Sequence, residues 1–140
     1  MISKMTTLNK TNICYYATGK RKTAISKIWL YLNGSGLILV NGKSIKNYFL
    51  NIFYINLINK PISLFNISSS INLECYVYGG GLSGQAGAIS YGISNVFNKL
   101  DYSFHKKLRS NMLLTRDSRI VERKKYGLAK SRKRFQFSKR

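Results

Sequence analysis

The motif Gly79-x-Gly81-x-x-Gly84 is the first place in this sequence whose residue types and spacing could do chemistry. It follows a strand-like segment and opens a helix-like one, and Asp101 lies about 20 residues further on, as in a dinucleotide-binding fingerprint. In that fingerprint the acidic residue ends a second parallel strand, whereas Asp101 directly follows the predicted helix. We therefore interpret the glycines as a close backbone approach, and note that amides exposed at a helix N-terminus bind phosphate.

The other titratable side chains form no pattern typical of catalysis. His105 is the only histidine and has no suitably spaced partner, so we expect it on a helix surface. The four acidic residues form no carboxylate pair, and Gly19–Thr23 lacks the upstream glycine of a P-loop. Cys14 and Cys75 lie far apart, which predicts reduced thiols in strands or core. The sequence therefore predicts no enzyme, no metal site and no cofactor.

The segment Arg123–Arg140 holds nine lysines and arginines and no acidic residue. No apolar period runs through it, so it cannot offset the entropy of ordering, and alone it is expected to be disordered. Fully extended at about 3.3 Å per residue, it could reach roughly 60 Å. Its rings, Tyr126, Phe135 and Phe137, suit stacking on bases or packing on sugars, which a tail that only aids solubility does not need.

A second basic cluster, Lys20–Lys22, lies between two predicted strands and could hold three cations against phosphates. The alternative is an ordinary solvated turn. Further along, Asp117 and Glu122 are surrounded by arginines, which predicts local ion pairs that fix arginine orientation with Arg116, Arg119 and Arg123.

The overall charge indicates a polyanionic partner. The chain has 24 basic and 4 acidic side chains, a formal net charge of +20, and residues 1–122 keep about +11 when the nine charges of the tail are set aside. No apolar run reaches the roughly 20 residues of a transmembrane helix, and neither a basic amphipathic helix nor an acylation signal is present. We therefore expect no membrane association and no small-molecule substrate.

Alternating apolar residues predict strands at 13–18, 23–32, 36–42 and 71–78. Asn33-Gly34 and Asn41-Gly42 read as turns, which predicts a largely antiparallel start. A short helix is predicted near Ser44–Phe49, and the segment up to Pro61 is too weakly periodic to assign. In the second predicted strand, one face is expected to comprise Ala24, Ser26, Ile28, Leu30 and Leu32.

The clearest helix starts after Gly84, because apolar residues recur there at spacings of three and four. A shorter helix with a cationic face is predicted at Phe104–Met112. Helices that cross one face of a mixed sheet give an α+β or α/β sandwich. The buried stripe of the long helix is expected to comprise Ala86, Ile89, Ile93, Val96, Phe97 and Leu100.

Taken together, these stretches resemble the universal small-subunit ribosomal protein nine family, in the order in which the family has them. The resemblance runs from about Tyr16 to Arg140, and its blocks are YATGKRKTAISKIWL, VNGKSIKNYF, GGGLSGQAGAI, LLTRDSRIVERKKYG and FQFSKR. The glycine block, LLTRD and the SKR ending are together highly specific.

The resemblance implies an α/β fold, an α+β two-layer sandwich with a mixed sheet and helices on one face, ribosomal protein S5 domain 2-like, with a long extended basic C-terminal tail. We predict a flexible N-terminal extension at 1–12, a globular rRNA-binding body at 13–115 and the extended basic tail at 116–140. The implied function is that of a structural constituent of the small-subunit head. Its implied partners are small-subunit rRNA, neighbouring head proteins and, through the tail, the peptidyl-site tRNA.

Carried onto this sequence, the resemblance implies tRNA phosphate contacts by Lys139 and Arg140, with Ser138 and Phe137 setting their approach. Such contacts give affinity without reading sequence, which suits a protein that accepts every tRNA. The residues expected to bind rRNA are Lys20, Arg21, Lys22, Gly79, Gly80, Gly81, Ser83, Gly84, Gln85, Arg116, Arg119, Arg123, Lys124, Lys125, Lys130, Arg132, Lys133 and Arg134.

The chain departs from the family pattern at Ser90 and Tyr91, where a basic residue and a histidine are usual, so an rRNA contact by that pair is not carried over. Phe137 lies in an ending that resembles bacterial and mitochondrial members more than plastid ones. Abundant Asn, Ile, Lys and Tyr are expected from an AT-rich genome. These features favour a mitochondrial ribosome, with a plastid, an apicoplast or the bacterial cytoplasm as alternatives.

A DNA-compacting protein or general RNA chaperone is the rival class, because basic charge alone would suffice for it. Co-migration with small subunits after a high-salt wash would indicate the ribosomal constituent, and loss into a free pool would indicate the rival. A nucleotide-dependent enzyme would require saturable NAD binding, which we do not expect.

Overall fold

The computed structural model describes residues 14–67 and 70–138 of the chain. The N-terminal extension predicted at 1–12 lies outside this part. In chain order the elements are β1 (Cys14–Arg21), β2 (Ala24–Leu32), β3 (Ile38–Val40), β4 (Lys43–Ser44), α1 (Ile45–Tyr48), α2 (Ile52–Ser63), β5 (Ile71–Tyr78), α3 (Leu82–Leu100) and α4 (Phe104–Ser110).

The five strands form one mixed sheet in the order β1-β2-β5-β3-β4. β2 pairs antiparallel with both β1 and β5, whereas β3 runs parallel to β5. Helices cover one face, which makes the molecule a two-layer α/β structure and confirms the predicted fold class. On β2 the alternation predicted for that face is confirmed: Ala24, Ser26, Ile28 and Leu30 are fully buried, and Leu32 packs partly buried against the core.

The place of β3 in the sheet differs from the predicted succession of tight turns, because β5 lies between β2 and β3. The reason is the loop after β2, which bonds to β5 instead of closing a hairpin. The side-chain oxygen of Asn72 accepts from the backbone amides of Ser35 and Leu37, at 2.9 Å each. Gly34 donates to the carbonyl of Ser70 at 2.9 Å. The Asn33-Gly34 turn therefore does not pair β2 with β3. The chain passes β5 instead, and β3 pairs on the far side of β5.

The weakly periodic stretch after residue 50 is the helix α2, which the sequence left unassigned. The Asn51 side chain accepts from the amide of Phe53 at 2.9 Å and so caps the first turn. Pro61 has no N–H to donate to the carbonyl of Leu57, and because it lies only two residues before the helix ends, little of the helix follows the missing bond. Ile58 and Ile62 are buried, and full burial of such a side chain contributes roughly 1.5–3 kcal/mol.

The long helix α3 starts at Leu82, two residues before Gly84, and its predicted stripe is buried from Ala86 to Phe97. It approaches β1 and β2 closely at four small residues. Ser26 Oγ donates to the carbonyl of Ala88 at 2.8 Å, and also contacts the carbonyl of Gly19 at 3.3 Å. A Cβ on Gly19 would lie 1.9 Å from the Ala88 oxygen and 2.6 Å from the Gly92 nitrogen. Only glycine fits at position 19.

We predict that Gly19→Ala destabilises the fold, because the new methyl group must push α3 off the sheet. The expected loss is about 1–3 kcal/mol in the free energy of unfolding, measured by urea titration. Gly81→Ala is the matched control: nothing lies within 4 Å of a Cβ there, and its φ of −107° suits alanine. Alanine is a poorer N-cap than glycine, so a small loss is expected in the control; a loss there as large as that at position 19, or none at position 19, would contradict a steric role for Gly19.

Candidate nucleic-acid interface

The basic cluster Lys20–Lys22 lies at the β1–β2 turn, where the first half of α3 passes beside it. Lys20 and Lys22 are exposed, whereas Arg21 is half-buried. Lys22 is held at φ +51°, in the left-handed region that lysine rarely adopts. A Cβ on Gly87 would lie 3.1 Å from Arg21 Cγ, so the arginine stem lies across α3. The turn is therefore a fixed feature of the surface and not only a solvated loop.

Asp117 joins this turn to the segment that follows α4. Its carboxylate forms a salt bridge with the Arg21 guanidinium, and these side chains are only 27% and 29% exposed. It also accepts from Arg119, through Nε at 3.0 Å, Nη2 at 2.6 Å and the backbone amide at 2.9 Å. The predicted pairing of Asp117 with a nearby arginine is confirmed. The bond to Arg21, 96 residues away, was not predicted.

Hydrogen bonds from Arg119, and then from Arg21, hold the pKa of Asp117 well below its usual range. The same carboxylate raises the pKa of Arg119. Asp117 is therefore ionised at any physiological pH, and both guanidinium groups keep a fixed direction while part of each still faces solvent. Arginines oriented in this way lose less side-chain entropy when they bind a phosphate.

Two open clefts flank the Arg21–Asp117 contact. One, of about 290 Å³, lies between the helices and residues 112–117, and the other, of about 280 Å³, lies towards Val121. The first is lined in part by Lys20, Arg21, Ser83, Ser90, Tyr91 and Arg116, and the second by Arg21, Lys22, Arg119, Ile120 and Val121. Five of the cations predicted to bind rRNA thus converge on one surface, and Ser90 and Tyr91 also line it.

The glycine block has a packing role that explains two of its members. Gly79 and Gly80 have φ of +73° and +63°, and a Cβ on Gly79 would lie 2.7 Å from the carbonyl oxygen of Thr23. The close approach inferred from the sequence is therefore made to the β1–β2 turn. Gln85 is also used within the fold, since it donates to the Gly79 carbonyl at 3.2 Å and accepts from the Tyr48 hydroxyl at 2.9 Å.

The start of α3 remains open beside these cations. Its N-cap residue is Gly81, which has no side chain. The first-turn amides therefore receive no side-chain hydrogen bond from the N-cap position. Gly81 and Ser83 are exposed, whereas Gly84 is buried against Arg21 and Ala24. Of the predicted glycine-block residues, Gly81 and Ser83 are thus the ones placed to meet a phosphate.

The chain beyond α4 contains neither helix nor strand through residue 138, but it is not extended throughout. Glu122 pairs with Arg132, with Nε to Oε2 at 3.1 Å and Nη2 to Oε1 at 2.5 Å. Ala129 donates to the carbonyl of Lys133 at 2.8 Å. These contacts fold part of the predicted extended tail into a turn, because an acid and an arginine ten residues apart can meet only if the chain reverses.

The remaining tail cations predicted to bind rRNA are exposed: Arg123, Lys124, Lys125, Lys130, Lys133 and Arg134. Hydrogen bonds from Arg132 lower the pKa of Glu122, so this acid is ionised as well. Ser138 is exposed and the Phe137 ring is 95% exposed. Lys139 and Arg140, the predicted tRNA contacts, lie outside the described residues.

The other candidate groups serve the fold. His105 lies in α4, where Nδ1 contacts Asn98 Oδ1 at 2.9 Å, and Asp101 ends α3 and accepts from the Ser103 amide at 2.8 Å. Cys14 is exposed and Cys75 is buried; both are free, as predicted, and burial raises the pKa of Cys75 to about 12.

Within residues 14–67 and 70–138, no group of three or more His, Cys, Asp or Glu could hold a metal ion. No helix in those ranges has the length and apolar character needed to cross a membrane.

Comparison with known proteins decides the family. The model of the family described as ribosomal protein S9/S16 matches residues 19–140. The chain belongs to this family. Small ribosomal subunit protein uS9 of Rickettsia africae is 52% identical over 126 residues, which are 90% of this chain and 79% of that protein. The protein of the same name in Rickettsia conorii gives the same values, and that of Rickettsia prowazekii is 51% identical over 90% of this chain and 78% of its own length.

The S9/S16 match starts at Gly19, so it includes the basic turn, the glycine block and the segment after α4.

Asp117 is the residue of this interface whose full role the sequence did not reveal. The spacing Asp117-x-Arg119 signalled a local ion pair, but nothing in the sequence indicated a third partner from β1. Only the packing of α3 against β1 brings Arg21 within reach.

We predict that Asp117→Asn frees residues 112–119 of this S9/S16-family chain, because two guanidinium groups lose their carboxylate. Backbone amides in that range should exchange hydrogen several-fold faster at pH 7, as measured by mass spectrometry. Because the folded-state pKa of Asp117 is lowered, its contribution is fully present above the unfolded value near 3.9 and is lost only as pH falls through the lower folded value. The wild type should therefore keep its protection at pH 5.

Glu122→Gln is the control, because it breaks the pair with Arg132 and leaves the Arg21–Asp117 contact intact. It should speed exchange near residues 122–133 only. Equal effects of the two substitutions on residues 112–119 would show that Asp117 has no special role in fastening the segment.

Proposed function

We propose that this chain is a structural constituent of the small ribosomal subunit and binds the rRNA of that subunit through the cationic surface around Arg21 and Asp117. The observation that carries the proposal is the family match over residues 19–140, together with relatives whose name is small ribosomal subunit protein uS9. The protein is a binding and scaffolding component, not a catalyst, and other ribosomal proteins are among its partners.

The geometry suits a folded RNA backbone. Lys20, Lys22 and Arg116 can reach phosphates as exposed cations, while Arg21 and Arg119 are held in direction by Asp117. The open first turn of α3 adds backbone amides and the positive end of a 19-residue helix. Contacts of this kind position a protein on RNA without reading its sequence.

Replacing both lysines of the turn, Lys20→Gln with Lys22→Gln, should weaken binding of the free protein to small-subunit rRNA. Each lost phosphate contact lowers the salt dependence, so the slope of log K against log salt should become shallower by about 1 per lysine. Filter binding between 50 and 200 mM salt measures this slope.

Lys46→Gln with Lys60→Gln is a control of equal charge, since neither lysine lines the two clefts beside Arg21. Equal losses from the two double variants would show that affinity comes from diffuse charge, and would remove the assignment to this surface.

We further propose that residues 116–140 act as a tail whose end contacts the peptidyl-site tRNA through Lys139 and Arg140. The support is the resemblance of the FQFSKR ending, together with the exposure of Phe137 and Ser138, which directly precede Lys139. In this proposal the inner cations, from Arg123 to Arg134, bind rRNA, and the body is the globular unit at 13–115.

Deleting Lys139 and Arg140 should leave the chain in small subunits and weaken peptidyl-site tRNA binding, measured by filter retention on purified subunits. Two cations are lost, and salt screens their attraction to phosphates, so the effect should be larger at low salt. Lys124→Gln with Lys125→Gln is the matched control, because it removes the same charge from the inner tail. Unchanged tRNA affinity in the deletion, or an equal loss in the control, would defeat the tRNA assignment.

The proposed compartment is a mitochondrial ribosome, supported by the AT-rich residue usage and the form of the ending. The curated relatives named above are bacterial, so the bacterial cytoplasm is the alternative they favour. Sedimentation of ribosomes from purified mitochondria decides between the two: absence of the chain from their small subunits would exclude the mitochondrial assignment.

A further inference from the structure

The face of the sheet opposite the helices carries a row of aromatic side chains. Tyr16, Trp29 and Tyr76 come from three adjacent strands, with ring centroids 5.1 Å apart for Tyr16–Trp29 and 5.4 Å for Trp29–Tyr76. Tyr16 and Tyr76 are 41% and 46% exposed, and Tyr78 on the same face is 53% exposed. Contiguous exposed rings on a β-sheet usually mark a binding surface.

Glu74 lies within this row, opposite Trp29 in the β2–β5 register. Both of its oxygens accept hydroxyl protons, from Tyr76 at 3.0 Å and from Tyr31 at 3.3 Å. The bond to Glu74 raises the pKa of Tyr76, and burial followed by the charge of Glu74 raises that of Tyr31 to about 12. The two tyrosines therefore remain donors, and they fix the carboxylate in one position.

No lysine or arginine among the described residues forms a salt bridge with Glu74, although the chain carries 24 basic side chains. Two acids in that part do form salt bridges: Asp117 and Glu122 each pair with arginine. A carboxylate framed by rings, with no salt-bridge partner in residues 14–67 and 70–138, is complementary to a cation from elsewhere. Arginine suits it best, because a planar guanidinium can pair with a carboxylate and stack on an aromatic ring.

We infer that this aromatic–carboxylate surface docks an arginine side chain of another protein. This surface is turned away from the clefts assigned to rRNA. The inference rests on the proposed function in one respect, the expectation that the partner is another protein of the same particle. RNA is the competing occupant, since bases stack on tyrosine and tryptophan. A carboxylate at the centre of the row opposes it, because it repels phosphates and holds two of the hydroxyls.

Photo-cross-linking of the full chain in cells tests the proposal. Benzoylphenylalanine replaces Tyr78, an exposed ring at the end of the same face, and linked peptides or nucleotides are identified by mass spectrometry. The expected product is a link to a peptide of another protein that contains arginine at or next to the linked site. Its yield should fall about tenfold when Glu74→Gln is added. Glutamine keeps the size of the side chain and an acceptor for a tyrosine hydroxyl, so the fold is retained.

Lys27→Gln is the matched control, because Lys27 is exposed on the same face and pairs with Tyr76 in the sheet register. It should leave the yield unchanged or raise it. A link to RNA, no link, or a yield that Glu74→Gln does not change would overturn the inference, as would an equal loss from Lys27→Gln. Sedimentation of the same extract reports separately whether the chain is in small subunits, so failure of the proposed function is distinguished from failure of this one.

Discussion

The close packing of α3 on β1 and β2 is the constraint on which the rest of the structure depends. At Gly19, Ser26, Ala88 and Gly92 the helix backbone approaches the sheet so closely that a side chain at position 19 would overlap it. This contact sets the depth at which α3 lies, and with it the distance from the helix to the β1–β2 turn. Because of that distance, the stem of Arg21 lies across the helix and its head reaches Asp117. Dense packing transmits such a constraint, since interiors have little free volume.

The few acidic residues of this basic chain have defined structural roles. In a chain with a net charge of +20, each acid lowers attraction to a polyanion, yet Asp117 and Glu122 both orient arginines. An oriented guanidinium binds phosphate with less loss of entropy than a free one. Glu74 differs because its partners are tyrosine hydroxyls, and it lies on the opposite face of the sheet. The protein thus has two surfaces of different chemistry, one rich in cations and one aromatic with a single carboxylate.

Much of the fold could be predicted from local patterns. The last strand begins and ends where its alternation does, and the buried residues of β2 and α3 are those that the periods of two and 3.6 indicate. The helix α2 could not be assigned, because its exposed face carries asparagines and apolar residues such as Phe53 in place of charges. The position of β3 was also missed. β3 pairs with β5 because the Asn72 side chain at the start of β5 binds the loop that precedes β3. Asn72 lies more than thirty residues away from that loop along the chain.

By itself, the sequence determined the composition of the interface: a basic turn, a glycine block before a long helix, and a cationic end with rings. These features follow from residue types and near-neighbour spacing, which are properties of the chain alone. Only the tertiary structure decided how they meet. Arg21 and Asp117 are 96 residues apart, and no period or motif relates them. Their pairing exists because a helix packs on a strand at a glycine, and the reversal of the tail exists because Arg132 returns to Glu122. Such contacts depend on the shape of the whole fold, which a local pattern does not contain.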